Sequence, residues 1–213
     1  MTDGGKAFRT WLIALGVCAA AVLLSMAYVD RGVADYVNVH LLQSVPIQAF
    51  AKGLGPLVVF VGLGFAVMAA AGCWVLAGRM LSPRMETPLL CSWSLVWTMA
   101  ATQALKAAFG RSETEMWTGY VGPGSAKGVY TFHWMNGGAS FESFPSGSTA
   151  IAAAILSVLW IRMPRYRILW ALGVGYVAAA LIVTNGHFIA DIIGGGFLGV
   201  SAGWMTVLLW KAR

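Results

Sequence analysis

The chain has 213 residues, of which 59% are hydrophobic and only 10% are charged, with a formal net charge of +6. A soluble domain carries roughly 25% charged and 45–50% apolar residues, because its surface has to face water. The 14 Lys and Arg and 8 Asp and Glu cannot coat a globule of this size. That excludes a soluble enzyme, a disordered tail and an ordinary nucleic-acid-binding domain, and leaves an all-α integral membrane protein of one domain.

A helix needs about 20 apolar residues to cross the hydrocarbon core, and six runs approach or meet this. The first is 11–29, preceded by Lys6 and Arg9, with Ser25, Met26 and Ala27 near its end. Its length exceeds the 7–15 apolar residues of a cleaved signal core, so it is read as a retained span. Residues 30–53 follow, with Val33, Tyr36, Val37, His40 and Leu41 spaced for one helix face. This is the pattern of an amphipathic helix lying in the headgroup layer, where His40 reads as an interfacial polar residue rather than a catalyst.

The second span is 54–76. The third, 89–105, ends on Lys106. Next comes the one long polar stretch, 110–144, rich in Gly, Ser, Trp and Tyr. Loops of that length in a small protein usually carry function, held in place by the scaffold around them. The remaining spans are 148–161, 168–183 and 188–210, so the fold is expected to be a bundle of six transmembrane helices plus the interfacial helix. On the sixth, Gly195, Gly199 and Gly203 form a small-residue stripe suited to close helix packing. Cys18, Cys73 and Cys91 lie inside apolar runs at no metal-ligand spacing and read as small packing residues.

Orientation follows from Lys and Arg. One side holds Lys6, Arg9, Arg79, Arg84, Arg162, Arg165, Arg167, Lys211 and Arg213. The other holds Arg31, Lys52, Lys106, Arg111 and Lys127. The nine-to-five split predicts that both termini are cytoplasmic, and the membrane is expected to be the inner, plasma membrane. The five far-side cations are not explained by topology.

Ionisable groups at a membrane boundary are costly and mark function by default. On the non-cytoplasmic side these are Lys106 with Arg111, the turn Pro145-Ser146-Gly147-Ser148, and His187 with Asp191. His187 and Asp191 are four apart, so on a helix they share a face. The carboxylate can then fix the imidazole tautomer and leave the other ring nitrogen free as base or nucleophile; the plainer reading of Asp191 is a cap or packing partner. Ser146 and Gly147 at a helix start offer amides and the positive end of the helix dipole to an anion, with Lys106 and Arg111 to neutralise it. By itself that turn is equally a simple serine cap.

Taken together, Lys106 and Arg111, then FPSGS, then His-x-x-x-Asp resemble the type-2 phosphatidic-acid phosphatase family, with motifs KxxxxxxRP, PSGH and SRxxxxxHxxxD. The resemblance covers about residues 30–210. It implies a six-span protein that hydrolyses a lipid phosphate through a phospho-histidine, with neither metal nor cofactor. On this resemblance His187 is the nucleophile and Asp191 its orienting partner, while Lys106, Arg111, Ser146 and the Gly147 amide hold the phosphate. The stretch FGRSETEMW resembles a branch with a shifted first motif.

Three positions depart from the family pattern. Strict spacing from Lys106 puts Glu113-Thr114 where Arg-Pro is usual. Ser148 stands where the family has its general-acid His, and serine has no pKa suited to that task. Leu181 stands in place of the third motif's Arg. Three consequences are open: a diphosphate substrate whose leaving group needs little protonation, a proton supplied by His133 from the long loop, or a catalytically impaired lipid-phosphate binder or regulator. A small transporter or channel subunit is the competing class, disfavoured because the spans carry no internal polar residues at the midplane and no inverted repeat is evident. Candidate substrates are undecaprenyl diphosphate, phosphatidic acid, phosphatidylglycerol phosphate and a lipid A phosphate.

Overall fold

The computed structural model describes residues 3–42, 56–77, 82, 85–119, 128–135, 138 and 140–211. The cations Lys52, Arg79, Arg84, Lys127 and Arg213, and the second half of the expected interfacial segment, lie outside the described residues. Six long helices occupy the stretches expected to span. They are α1 (Asp3–Tyr28), α3 (Pro56–Leu76), α4 (Glu86–Phe109), α6 (Gly147–Arg162), α7 (Arg167–Val183) and α8 (Ile189–Lys211). Among the described residues two shorter helices lie between them, α2 (Asp30–His40) and α5 (Thr114–Thr118), and a 3-10 turn, Pro164–Tyr166, joins α6 to α7.

By length and composition, Gly5–Tyr28, Pro164–Val183 and Ile189–Trp210 are each apolar enough to cross a membrane unaided. The outer surface fits such a solvent. Leu12, Ile13, Val17, Leu23 and Leu24 of α1 are all exposed, which hydrocarbon tolerates because the helix satisfies its own backbone. The core runs along α6, where Ala150, Ala152, Ala153, Ala154 and Val158 are buried; Val158 packs with Leu90 of α4 and Val207 of α8, and Ala152 with Val177 and Leu181 of α7 and Ile192 of α8.

Two sequence expectations need correction. Helix α4 is not uniformly apolar inside: Ser92, Ser94, Thr98 and Thr102 are buried. Ser92 donates to the Pro88 carbonyl (2.9 Å) and Ser94 to the Ala154 carbonyl (3.2 Å), so these two hydroxyls are spent on backbone, while the buried Thr98 and Thr102 hydroxyls have no hydrogen-bond partner among the described residues. Helix α2 does form, but its buried stripe is Asp30, Ala34 and Val37, while Tyr36, Val39 and His40 are exposed. The shift in face follows from the burial of Asp30, described below.

The glycine stripe of α8 lets α6 approach to backbone contact. A Cβ on Gly195 would lie 2.3 Å from the Ser146 carbonyl oxygen, and one on Gly199 would lie 2.2 Å from that of Ala150. No rotamer relieves a clash with backbone. Gly199→Val is therefore expected to cost about 1–3 kcal/mol, the usual range for overpacking, read as a lower Tm in detergent. An unchanged Tm would mean that the two helices are free to separate.

Candidate active site

One end of the bundle gathers the C-terminal ends of α1, α4 and α7 with the N-terminal ends of α6 and α8. Helix α4 stops because Gly110 takes the left-handed conformation at φ 52°, with its N–H on the Lys106 carbonyl at 2.8 Å. A side chain there would meet the His133 carbonyl oxygen at 2.0 Å. This cap turns the chain sharply inward, and Arg111 enters the protein instead of lying on its surface.

Arg111 is 1% exposed. Its Nη1 pairs with Asp191, and its Nη2 reaches Asp30 Oδ2 and the Tyr130 hydroxyl, each at 2.6 Å. The guanidinium lies over the Phe188, Tyr130 and Phe132 rings at 4.6, 5.0 and 5.6 Å from their centroids. The expectation that Arg111 lines an anion cradle does not match this position; it lies one layer beneath, between two carboxylates. Burial raises the Tyr130 phenol well above its ordinary range, and the Asp30 carboxylate adds to this against the pull of Arg111. The phenol therefore remains a donor to Asp30 Oδ2, at 2.9 Å.

Asp30 accepts from four donors: Ser25 Oγ (2.7 Å), Arg111 Nη2 (2.6 Å), the Tyr130 hydroxyl (2.9 Å) and the Ala190 amide (3.0 Å). Asp191 is likewise fully buried, accepting from Arg111, from Ser143 Oγ at 2.6 Å and from the Phe188 amide at 3.1 Å. Each carboxylate has the multiple donors that a buried charge requires.

Beside Asp191 stands His187, its side chain 16% exposed. Its Nδ1 is 3.6 Å from Asp191 Oδ2 and 3.5 Å from Ser143 Oγ. The first is an ion-pair distance rather than a hydrogen bond; Ser143 sits between the two groups and contacts both. With Nδ1 turned to these acceptors, Nε2 is the ring nitrogen left for chemistry.

The start of α6 lies against the backbone of Asp191. The Ser146 side chain caps the helix, accepting from the Thr149 amide at 3.4 Å, while its own amide donates to the Asp191 carbonyl at 3.0 Å. Ser146 is thus buried and occupied as a cap. Gly147 and Ser148 are half-buried, and their amides belong to the first helical turn, which has no intrahelical acceptors. Gly147 packs on α4 beside Thr102, one turn below Lys106. Lys106 is half-buried, and both it and His187 act electrostatically on Glu113. Burial, followed by Glu115, raises the Glu113 carboxyl above its ordinary value; Lys106 and His187 oppose this and Glu142 adds to it.

His133 is exposed, its ring 4.2 Å from that of Phe141. Leu181 is buried in an apolar cluster with Ala152, Val177 and Ile192, surroundings that offer a cation no partner. Sequence reasoning missed Asp30, Tyr130 and Ser143. Only Asp30 left a signal, an acidic residue directly after a run that ends at a membrane boundary.

The description "PAP2 superfamily" belongs to a family model that matches residues 87–213. Two lipid A 1-phosphatases resemble the chain. That of Rhizobium etli is 27% identical over 115 residues, 54% of this chain and 45% of the relative. That of Rhizobium johnstonii is 25% identical over 116 residues, 54% of this chain and 43% of the relative. The matched stretch spans less than half the length of either. In fold, the chain resembles the crystal structure of a transmembrane PAP2-type phosphatidylglycerolphosphate phosphatase from Bacillus subtilis, with a TM-score of 0.58 and 17% identity, covering 100% of this chain and 98% of the other.

Proposed function

The chain belongs to the PAP2 superfamily, and from that premise we propose that it is a membrane lipid phosphatase in which His187 forms a covalent phosphoryl intermediate. Its Nε2 attacks phosphorus, the P–N bond forms, and the P–O bond to the lipid breaks with the electron pair leaving on oxygen. Water then attacks the phospho-histidine, breaking P–N and releasing inorganic phosphate. Asp191 and Ser143 hold Nδ1 and stabilise the charge that the ring gains. Lys106 and the first-turn amides of Gly147 and Ser148 bind the phosphoryl oxygens. Arg111 orients Asp191 from below. The observation that carries this reading is the partly exposed His187 backed by a buried carboxylate that is itself held by a buried arginine.

Without an acid at Ser148, the favoured substrate is one whose leaving oxygen departs as a stable anion. A diphosphate lipid fits. So does a sugar 1-phosphate, whose hemiacetal hydroxyl is more acidic than an ordinary alcohol, and the names of the two curated relatives point the same way. The Lys and Arg distribution favours a site on the non-cytoplasmic face of the inner membrane.

The test is phosphate release by purified protein in detergent with EDTA. The panel is a lipid A 1-phosphate, undecaprenyl diphosphate, phosphatidic acid and phosphatidylglycerol phosphate. Turnover that survives EDTA and disappears in His187→Gln is expected. Saturable binding with no turnover would favour the second reading, a lipid-phosphate binder, for which Glu113 and the apolar setting of Leu181 speak.

Glu113 gives a pH prediction. Below its raised pKa the carboxyl is neutral; as pH rises through that value it becomes a charge facing the incoming phosphate, alongside Glu115 and Glu142 and opposed by Lys106 and His187. KM is expected to climb as pH rises through that raised value. Glu113→Gln should flatten that climb and lower KM above it by about tenfold, equivalent to ~1.4 kcal/mol of like-charge repulsion. An identical pH profile in the variant would place the Glu113 charge away from the substrate.

A further inference from the structure

Asp30 lies outside residues 87–213, the part of the chain that the family model matches. It opens α2, directly after α1, and yet it is among the most buried side chains in the protein. Four donors converge on it, and two of them lead to the candidate active site. Arg111 spans from Asp30 to Asp191. The Ala190 amide, in the first turn of α8 and one residue before Asp191, donates to Asp30 Oδ1 at 3.0 Å. Asp30 therefore acts as a cap supplied from outside the helix that carries Asp191, where the dipole favours a negative charge.

A second tie runs from the same short helix. Asn185 Nδ2 donates to the Ala34 carbonyl at 3.3 Å. Residues 185 and 190 bracket His187, so α2 grips the chain on both sides of the reacting group.

The geometry points to Asp30 as a positioning residue for the His187–Asp191 pair, acting through Arg111 and the Ala190 amide and making the α1–α2 junction a working part of the site. This rests on the reading of His187 as the reacting group. The physical logic is competition for one guanidinium. With two carboxylates on it, Arg111 is shared, and Asp191 keeps Oδ2 for Ser143 and His187. With Asp30 neutralised, Asp191 is the sole anion in reach of Arg111. The guanidinium then turns toward Asp191 as a two-pronged partner, and Oδ2 is drawn from the imidazole. A misplacement on the order of 1 Å at a reacting group costs up to about 10²-fold in rate.

The test is Asp30→Asn, an isosteric change, in full-length protein in detergent. The chain has three histidines, so 15N-histidine NMR with His40 and His133 replaced in turn identifies the His187 signal. The expected result is a shift of the His187 Nδ1 resonance, a 10- to 100-fold lower kcat, and KM within about twofold of the parent. Asp35→Asn on the same helix, whose carboxylate bonds Trp117 at 2.9 Å, should change neither. In an Asp191→Asn background, Asp30→Asn should add no further loss, because its route to His187 is already cut.

An unmoved His187 signal in folded Asp30→Asn, or losses that add in the double variant, overturns the proposal. Ser25→Ala is the milder variant for the case in which Asp30→Asn does not fold. It removes one donor, keeps the charge and should move the same resonance by less; no movement there overturns the proposal equally. The NMR arm does not depend on turnover, so an absence of phosphatase activity in the parent protein would defeat the phosphatase reading alone.

Discussion

Arg111→Met is expected to destabilise the protein by about 3–5 kcal/mol, the cost of breaking a buried ion pair from one side. Methionine matches the length of the arginine stem and suits the aromatic surround of Tyr130, Phe132 and Phe188. Volume is therefore nearly conserved and the loss isolates charge. Asp30 and Asp191 would remain buried without their shared cation, close enough to repel each other. Both would be forced toward protonation or toward partial unfolding of the α2–α8 contact. The measurement is Tm in detergent, followed by kcat on whatever fraction stays folded. Asp191 loses an orienting partner in the variant, so activity should fall beyond the folded fraction. The sequence spacing suggested another outcome: an arginine on the pocket surface would leave Tm intact and raise KM alone. That result would return Arg111 to the phosphate and remove the network from the mechanism.

The contrast shows which parts of this site are local in sequence. His187 and Asp191 were legible because four residues bring two side chains to one helical face. The helix start at Ser146 was legible because a cap is defined within a few residues, although Ser146 was expected to hold phosphate and is instead buried as the cap itself. The six long helices were legible because hydrocarbon demands long apolar runs. The helix faces were not, since lipid-facing and core-facing positions are both apolar and periodicity is lost. Helix α2, the amphipathic exception, shows the limit: the helix was read correctly and Tyr36 and His40 of its expected stripe are exposed, but the second face, which buries Asp30, Ala34 and Val37 against the protein, was not read. Asp30 bonds residues 81, 100 and 160 positions away, and no spacing rule reaches that far. Arg111 was misplaced for a smaller reason. The left-handed turn at Gly110 reverses the direction of the next side chain, and the run Lys-x-x-x-Gly-Arg carries that turn only to a reader who already knows where the helix ends.

Ser148→His should raise turnover of a monophosphate lipid by up to roughly 10²-fold, within the range that a general acid contributes. It should raise turnover of the matched diphosphate lipid much less. Ser148 is the second residue of α6 and half-buried, and its hydroxyl makes no hydrogen bond among the described residues. An imidazole there would stand near the oxygen that leaves as the P–N bond forms. For a monophosphate that oxygen becomes an alkoxide, which departs very slowly unless a proton arrives with it. For a diphosphate it becomes a phosphate monoester, already a stable anion near neutral pH, which Lys106 can stabilise directly. The added acid therefore helps in proportion to how poor the leaving group is. Two other residues limit the gain: Leu181 sits in its apolar cluster and supplies no cation, and Glu113, in electrostatic reach of Lys106 and His187, adds a negative charge once ionised. Steady-state kinetics on the two lipids, before and after the substitution, decide the matter. Equal gains on both would mean that the imidazole binds phosphate without delivering a proton, and no gain on either would mean that another group already fills the acid's place.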